Sequence, residues 1–172
     1  TGIDQWIWTE DGFHSPAAVS KDPRTEQLSP MLHRLRDEWR GLPVFSVVGE
    51  QLEPQQLFRA LGSAPEGMHG VRVAAACLLA SLTGTGEAQS QAAALAALAE
   101  ACGSTLRLPG KSGRLVPVQS VFIHDMRWRS EAPEGKEEVH GDVPEAVAQR
   151  FGVPRLSEVL ADECRFNVGD GG

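Results

Sequence analysis

The sequence has few cysteines, a deficit of basic residues and no long apolar run. The cysteines are Cys77, Cys102 and Cys164, an odd number without a Cys-x-x-Cys spacing, and this pattern favours reduced thiols over a disulfide framework. Cys77 and Cys102 are predicted to lie on apolar helical faces and to pack in the core. The longest apolar run, residues 73–80, has eight residues, whereas about 20 are needed to span a bilayer. We therefore predict no transmembrane helix and no disulfide scaffold.

Acidic residues outnumber basic ones, 23 against 16, so the net charge is −7. A negative field repels phosphate and anionic lipid, and we therefore expect neither nucleic acid nor a membrane as a partner. Residues 1–11 contain no basic stretch and no small-residue cleavage site, and the sequence does not begin with Met. We expect an excised domain of a soluble, cytoplasmic protein.

Helical periodicity is clearest in the middle of the chain. Apolar residues recur at helical spacing over residues 54–62, 71–82 and 92–102. The last two helices are separated only by a Thr-Gly-Thr-Gly turn, so we expect them to form an antiparallel hairpin. Residues 22–30 and 130–138 lack such a period and are predicted to be loops.

Two segments predict a strand, a turn and a short helix in the same order. The first combines the aromatic strand 5–8 with a short helix over 17–21, for which Ser15 is the expected cap. The second is a β-hairpin over 106–116, followed by a short helix that Pro117 begins. Three residues of the two segments share a spacing to within one residue: Gly12, Pro16 and Val19 against Gly113, Pro117 and Val121. We therefore predict a duplicated unit on either side of the helical hairpin.

The C-terminal third predicts two further helices. The first follows Asp142, which stands in an acidic variant of a capping box, and the second follows Pro154. In the second helix, Leu156, Val159 and Leu160 are predicted to face inward. Residues 144–163 also resemble a helix-turn-helix, which makes a DNA-binding module an alternative function. The second helix has few cations for the phosphates of a DNA groove.

Few residue groups have the spacing that catalysis or metal binding requires. Lys111 and Ser112 follow Gly110 as in a phosphate-binding loop, but the preceding glycine is too far away, and a hairpin turn is expected instead. His124 and Asp125 are neighbours on an extended segment and point to opposite faces. The other histidines, His14, His33, His69 and His140, lack metal-ligand spacing. We therefore predict no catalytic residue, no metal and no cofactor; a small hydrolase or metal enzyme at His124 and Asp125 remains a further alternative.

The tryptophans offer most of the large apolar area. Trp6 and Trp8 lie on the same face of the predicted strand, so we expect them to be buried together, with Trp128 as a candidate partner. Trp39 is expected in the core as well. A peptide-binding aromatic surface is the alternative interpretation.

Three blocks of residues, in order, resemble the latter part of an internal repeat of the sacsin family. The resemblance spans most of the chain, although residues 36–103 match only as generic helix. The residues that carry it are Trp6, Trp8, Gly12, Phe13 and Pro16 in the first block, Gly113, Leu115, Pro117, Asp125 and Trp128 in the second, and His140, Gly152 and Val153 in the third. The family has Asn-Asp where this chain has His124-Asp125, and an acidic turn residue near Lys111.

The resemblance implies a segment outside the ATPase-like domain of a large cytosolic chaperone, and hence no ATP site. It implies a non-catalytic role in protein quality control, with neighbouring domains of the parent chain, heat-shock chaperones or client proteins as partners. We expect an α+β fold with a mostly helical core, a helical hairpin, short flanking strands and a β-hairpin. The expected organisation is one segment, 1–166, with parts 1–35, 36–103 and 104–166, and a flexible tail, 167–172.

Overall fold

The computed structural model describes residues 6–9, 11–83, 87–129 and 131–167, with the backbone alone for residues 88 and 163–167. This part of the chain has an α+β fold, as predicted. Its helices are α1 (Pro54–Ser63), α2 (His69–Leu82), α3 (Ala88–Ala101), α4 (Glu145–Arg150) and α5 (Leu156–Asn167). Its strands are β1 (Ile7–Thr9), β2 (Gly12–His14), β3 (Val19–Ser20), β4 (His33–Arg34), β5 (Arg107–Pro109), β6 (Leu115–Pro117), β7 (Val121–Phe122) and β8 (Glu137–Glu138).

The chain divides into two compact units, unit 1 (Thr1–Leu82) and unit 2 (Thr83–Gly172). The division falls at neither of the predicted internal boundaries, because α2 packs with α1 in unit 1 and α3 packs with α4 in unit 2. An antiparallel pairing of α2 with α3 stays a prediction. Apart from Asn167, which ends α5, the predicted tail lies outside the described residues, as do positions 84–86 of the turn. No helix in the described ranges is long and apolar enough to cross a bilayer.

Unit 1 begins with an antiparallel hairpin of β1 and β2 and continues with the parallel pair β3 and β4. The expected helix over 17–21 is shorter than predicted. A 3₁₀ helix covers Pro16–Ala18 and ends there because the backbone returns to the extended region at Val19. Ser15 gives it no side-chain cap. The predicted loop 22–30 contains a second 3₁₀ helix, Pro23–Leu28, in which the Asp22 carboxylate accepts a hydrogen bond from the backbone N–H of Arg24.

The first core cluster lies beneath these strands. It consists of the buried side chains Ile7, Val19, Leu35 and Val48, with Trp6, Trp39 and Phe45 packed against it. Helices α1 and α2 pack on each other elsewhere in the unit. A reciprocal capping box of Glu53 and Gln56 begins α1. The buried guanidinium of Arg72 donates hydrogen bonds at 2.6 and 3.2 Å to the carbonyl oxygen of Ala64, just after the end of α1.

Unit 2 has the same succession of strands as unit 1. The predicted β-hairpin is confirmed as β5 and β6, and the 3₁₀ helix Val118–Ser120 leads into β7, which pairs in parallel with β8. Pro117 ends β6 rather than beginning the helix. In both units a hairpin is therefore followed by a three-residue 3₁₀ helix and by a two-residue strand with a later parallel partner. The two segments of the predicted duplication share this order of elements and this pairing.

The helices of unit 2 end and begin at well-defined residues. Gly152, with φ +79°, turns the chain after α4. The predicted capping role of Asp142 is wrong, because α4 begins later, at Glu145, after Pro144. The prediction for the next helix is confirmed: Leu156 and Val159 of α5 are buried with Phe122 in the second core cluster, and Leu160 packs against them.

Candidate interaction surfaces

The outward face of the β1–β2 hairpin in unit 1 is aromatic. Trp8 lies opposite Phe13 in the register of the hairpin, and these side chains are 42% and 61% exposed. Ile7 and Thr9 are buried, because successive side chains of a strand point to opposite faces. The expectation that Trp6 and Trp8 are buried together is therefore wrong: Ile7 occupies the core, Trp6 is half-buried at its margin and Trp8 lies at the surface.

A row of stacked rings connects this hairpin to the segment 42–47. The ring centroids of Trp8 and Trp39 are 5.9 Å apart, those of Trp39 and Phe45 are 5.7 Å apart, and those of Phe45 and Trp6 are 6.0 Å apart. The last two pairs are nearly parallel, with interplanar angles of 13° and 11°. The Arg36 guanidinium lies 4.8 Å from the Trp8 ring and 5.4 Å from the Trp39 ring, which is cation–π distance. Ring stacking and the cation–π contacts of Arg36 therefore fix the positions of these aromatic side chains.

Further apolar side chains are exposed in the segment that carries Phe45. They are Leu42, Val44 and Val47. Together with Trp8 and Phe13 they form what we call the unit 1 apolar surface. The sequence singled out Trp8 and Phe13 but none of the residues in segment 41–47, because that segment has no helical or strand period. The available signal was a run of apolar residues beside Gly41 and Pro43, where a loop would ordinarily be polar.

A cleft of about 550 Å³ in unit 1 contains a histidine and a carboxylate. The buried His33 ring stacks on His14 with centroids 3.5 Å apart, and its Nδ1 lies 3.4 Å from Asp11. Burial lowers the pKa of His33, the nearby His14 lowers it further, and Asp11 partly offsets both. Arg34 is occupied by Glu26 and Asp37. No group of three or more side chains suited to a metal ion occurs in the described part of the chain.

The motif pair His124 and Asp125 holds two parts of unit 2 in place. The carboxylate of Asp125 accepts hydrogen bonds from the backbone N–H of Ser157 at 3.1 Å and from its hydroxyl at 2.5 Å. These bonds cap α5 and lower the pKa of Asp125. The Nε2 atom of His124 lies within hydrogen-bond distance, 2.8 Å, of the carbonyl oxygen of Arg129. The two neighbours thus contact different partners.

Trp128 lies in the loop that His124 closes, and it is 78% exposed. The expectation of a buried Trp128 is therefore wrong. Its loop turns at residues 127–128 and points this side chain outward, while Met126 takes the place against the second core cluster.

The polar groups of the hairpin turn in unit 2 bind carboxylates of the same chain. The ammonium group of Lys111 pairs with Glu138 at 2.7 Å, and the backbone N–H of Ser112 donates to the carboxylate of Glu137. Gly113 follows with φ +83°. Side chains of β8 therefore occupy the groups that a phosphate would need, and the predicted preference for a hairpin turn over a phosphate loop is supported.

The remaining motif residues support the backbone of the two units. Leu115 and Pro117 belong to β6, and Pro16 begins the first 3₁₀ helix. The backbone N–H of His140 donates to Pro109, and its Nδ1 accepts from the backbone N–H of Asp142 at 3.2 Å. Val153 is buried after the turn at Gly152. Cys77 and Cys102 are half-buried free thiols, and burial raises the pKa of Cys77.

We compared the chain with protein-family models, with curated proteins and with solved structures, and found no match in any of the three. The resemblance to the sacsin family therefore depends on the motif residues alone.

Proposed function

We propose that this chain is a non-catalytic, partner-contacting segment of a sacsin-like chaperone. The unit 1 apolar surface is the observation that supports the proposal most strongly. Trp8 is joined through Trp39 to Phe45, in the segment that carries the other exposed apolar side chains. Large exposed apolar area is uncommon on a protein that has no partner, and tryptophan and other aromatic side chains are favoured at binding surfaces. The partner that fits such a surface is a polypeptide with exposed apolar side chains, which is the state of a chaperone client or of an undocked neighbouring domain.

The contacts that anchor this surface to the core favour binding. Trp8 contacts Trp39, which stacks on Phe45, and Phe45 packs against the core cluster around Ile7. A surface held in this way loses little conformational entropy when a partner covers it. The tryptophan and phenylalanine side chains are therefore suited to contact a partner while the fold beneath them stays unchanged.

A non-catalytic role agrees with how unit 2 uses its polar motif residues. Asp125 caps α5, His124 closes a loop and Lys111 pairs with Glu138. Each of these groups is engaged within the fold. The sacsin resemblance also implies that an ATPase-like domain lies outside this segment. Calorimetric titration with ATP should accordingly show no saturable binding, and saturable binding would contradict this part of the proposal.

The helix-turn-helix alternative has less support. The guanidinium of Arg155, the cation nearest the start of the second helix, pairs with Glu145 at 2.9 Å. Its backbone N–H donates to Glu158. A groove-reading helix needs such cations for phosphate and base contacts. A steep salt-dependent affinity for duplex DNA would favour this alternative over our proposal.

Binding to an unfolded protein tests the main proposal. The probe is a reduced, alkylated and fluorescently labelled protein that cannot refold, titrated with the full chain. We expect Trp8→Ser combined with Phe13→Ser to weaken binding by about tenfold or more, because both exposed rings are removed while Ile7 and Thr9 remain. Arg107→Ser is the control, since it removes a large exposed side chain from the hairpin of unit 2. Equal binding by the wild type and the double variant would contradict the proposal.

A further inference from the structure

We propose that the tripeptide Arg127, Trp128 and Arg129 is a docking site for an acidic segment of a partner protein, in which an apolar side chain is flanked by carboxylates. This site lies in unit 2 and uses no residue of the unit 1 apolar surface. It therefore does not depend on the function proposed above.

The loop that presents Trp128 is attached to the fold at several points. The backbone N–H of Ile123 donates to Pro154 at 2.9 Å, and its carbonyl oxygen accepts from the N–H of Leu156 at 2.9 Å. Asp125 is bound to Ser157, as described above. These contacts connect the start of the loop to α5, so the loop begins from a fixed position.

The end of the loop is held as well. His124 reaches the carbonyl oxygen of Arg129, and the N–H of Arg129 donates to the carbonyl oxygen of Met126 at 3.1 Å. Met126 packs against the second core cluster. An exposed tryptophan on a loop of this kind has the properties of an interface anchor, because a large apolar ring is presented at low entropic cost.

The charges beside Trp128 indicate the chemistry of the partner. Among the described residues, neither Arg127 nor Arg129 forms an ion pair, whereas Lys111 and Arg155 of the same unit each pair with a glutamate. Guanidinium groups bind carboxylates through paired hydrogen bonds. The two arginines that flank Trp128 in the sequence therefore complement an acidic, apolar, acidic segment.

A nucleic acid fits this site less well. A nucleic acid would bring a long row of phosphates past Glu131 and Glu134, which are exposed shortly after the loop, and two cations would give it little electrostatic gain. A short acidic segment needs only the two guanidiniums and the ring.

A peptide titration tests this site. The probe is a fluorescein-labelled peptide in which two aspartates flank each side of a leucine, with glycines at both ends. Its matched control has asparagine in place of each aspartate. We expect the full chain to bind the acidic peptide at least about tenfold more tightly than the control, and added salt to weaken the binding.

Variants assign the binding to the loop. Trp128→Ala should weaken it by about tenfold or more, and Arg127→Gln with Arg129→Gln should weaken it and reduce its salt dependence. Arg107→Gln, which removes an exposed arginine from β5, should stay within about twofold. Circular dichroism verifies that each variant is folded. Equal affinity for the two peptides, unchanged affinity in Trp128→Ala, or tighter binding of a single-stranded oligonucleotide that also depends on Trp128 would each overturn the proposal.

Discussion

Asp125 and Ser157 lie 32 residues apart in the chain and are joined by two hydrogen bonds to one carboxylate. The aspartate stands outside the helix that it caps. It connects the end of the β7 segment to the start of α5, and in doing so it positions the loop that carries Trp128. A residue whose type and position suggest acid–base chemistry thus acts as a helix cap supplied by another part of the chain.

Asp125→Ala should lower the free energy of unfolding by about 1 kcal/mol, the usual effect of losing a helix cap. Asp142→Ala is the matched control, because Asp142 lies before α4 without capping it, and we expect its effect to stay below about 0.5 kcal/mol. Urea unfolding of both variants measures the difference. Equal losses in the two variants would show that Asp125 is not a cap.

Gly152→Ala should destabilise the protein by about 1 kcal/mol or more. The φ angle of Gly152 is +79°, which L-residues rarely adopt. An added Cβ would also come within 3.3 Å of the Cβ of Ala92. Gly141→Ala is the control, since that position has ordinary φ and open space around it. A thermal shift that is no larger for Gly152→Ala than for the control would contradict the account of this turn.

Unit 1 should lose stability as the pH falls below the ordinary histidine range. Burial and His14 lower the pKa of His33 from its usual value of 6.5, so the unfolded chain binds the proton first. The stability associated with neutral His33 is fully present above this value and decreases below it. Between about pH 7.5 and about pH 5.5, the free energy of unfolding in urea should therefore decrease more for the wild type than for His33→Asn. An equal decrease in both proteins would show that this pH dependence does not come from His33.

A second pH effect, which comes from a carboxyl group, should appear at lower pH. Hydrogen bonds from Arg24 lower the pKa of the buried Asp22 from 3.8 to about 2. Ionised Asp22 therefore contributes stability that is present above its unfolded pKa and is lost as the pH falls towards about 2. Asp22→Asn should reduce the loss of stability on acidification in this range, measured by thermal unfolding. An unchanged acid profile would contradict this account.

The longer helices could be predicted from the sequence, but several strands could not. Helices α1, α2 and α3 have ten or more residues with a clear apolar period. Strand β4 has two residues, His33 and Arg34, and β8 has two glutamates. Both form parallel pairs with residues distant in the chain, and their side chains show no alternation. Their position depends on tertiary contacts that local patterns do not encode.

The candidate surfaces were predicted in part. The sequence singled out Trp8, Phe13 and Trp128 but assigned the tryptophans to the core, because apolar rings are usually buried. In the strand that contains Ile7 and Trp8, both faces are apolar, so alternation alone could not decide which face points inward. The structure shows that Ile7 does. The contribution of segment 42–47 depends on ring stacking at Phe45, which has no periodic signal in the sequence.

The most direct test of the central claim is hydrogen–deuterium exchange of the full chain with and without the unfolded, labelled protein. The account predicts that amides of the β1–β2 hairpin and of residues 42–47 become protected when the unfolded protein is bound, while α3 and α4 stay unchanged. Protection that is absent from both of these segments, or that is confined to unit 2, would contradict the claim that the unit 1 apolar surface contacts polypeptide partners.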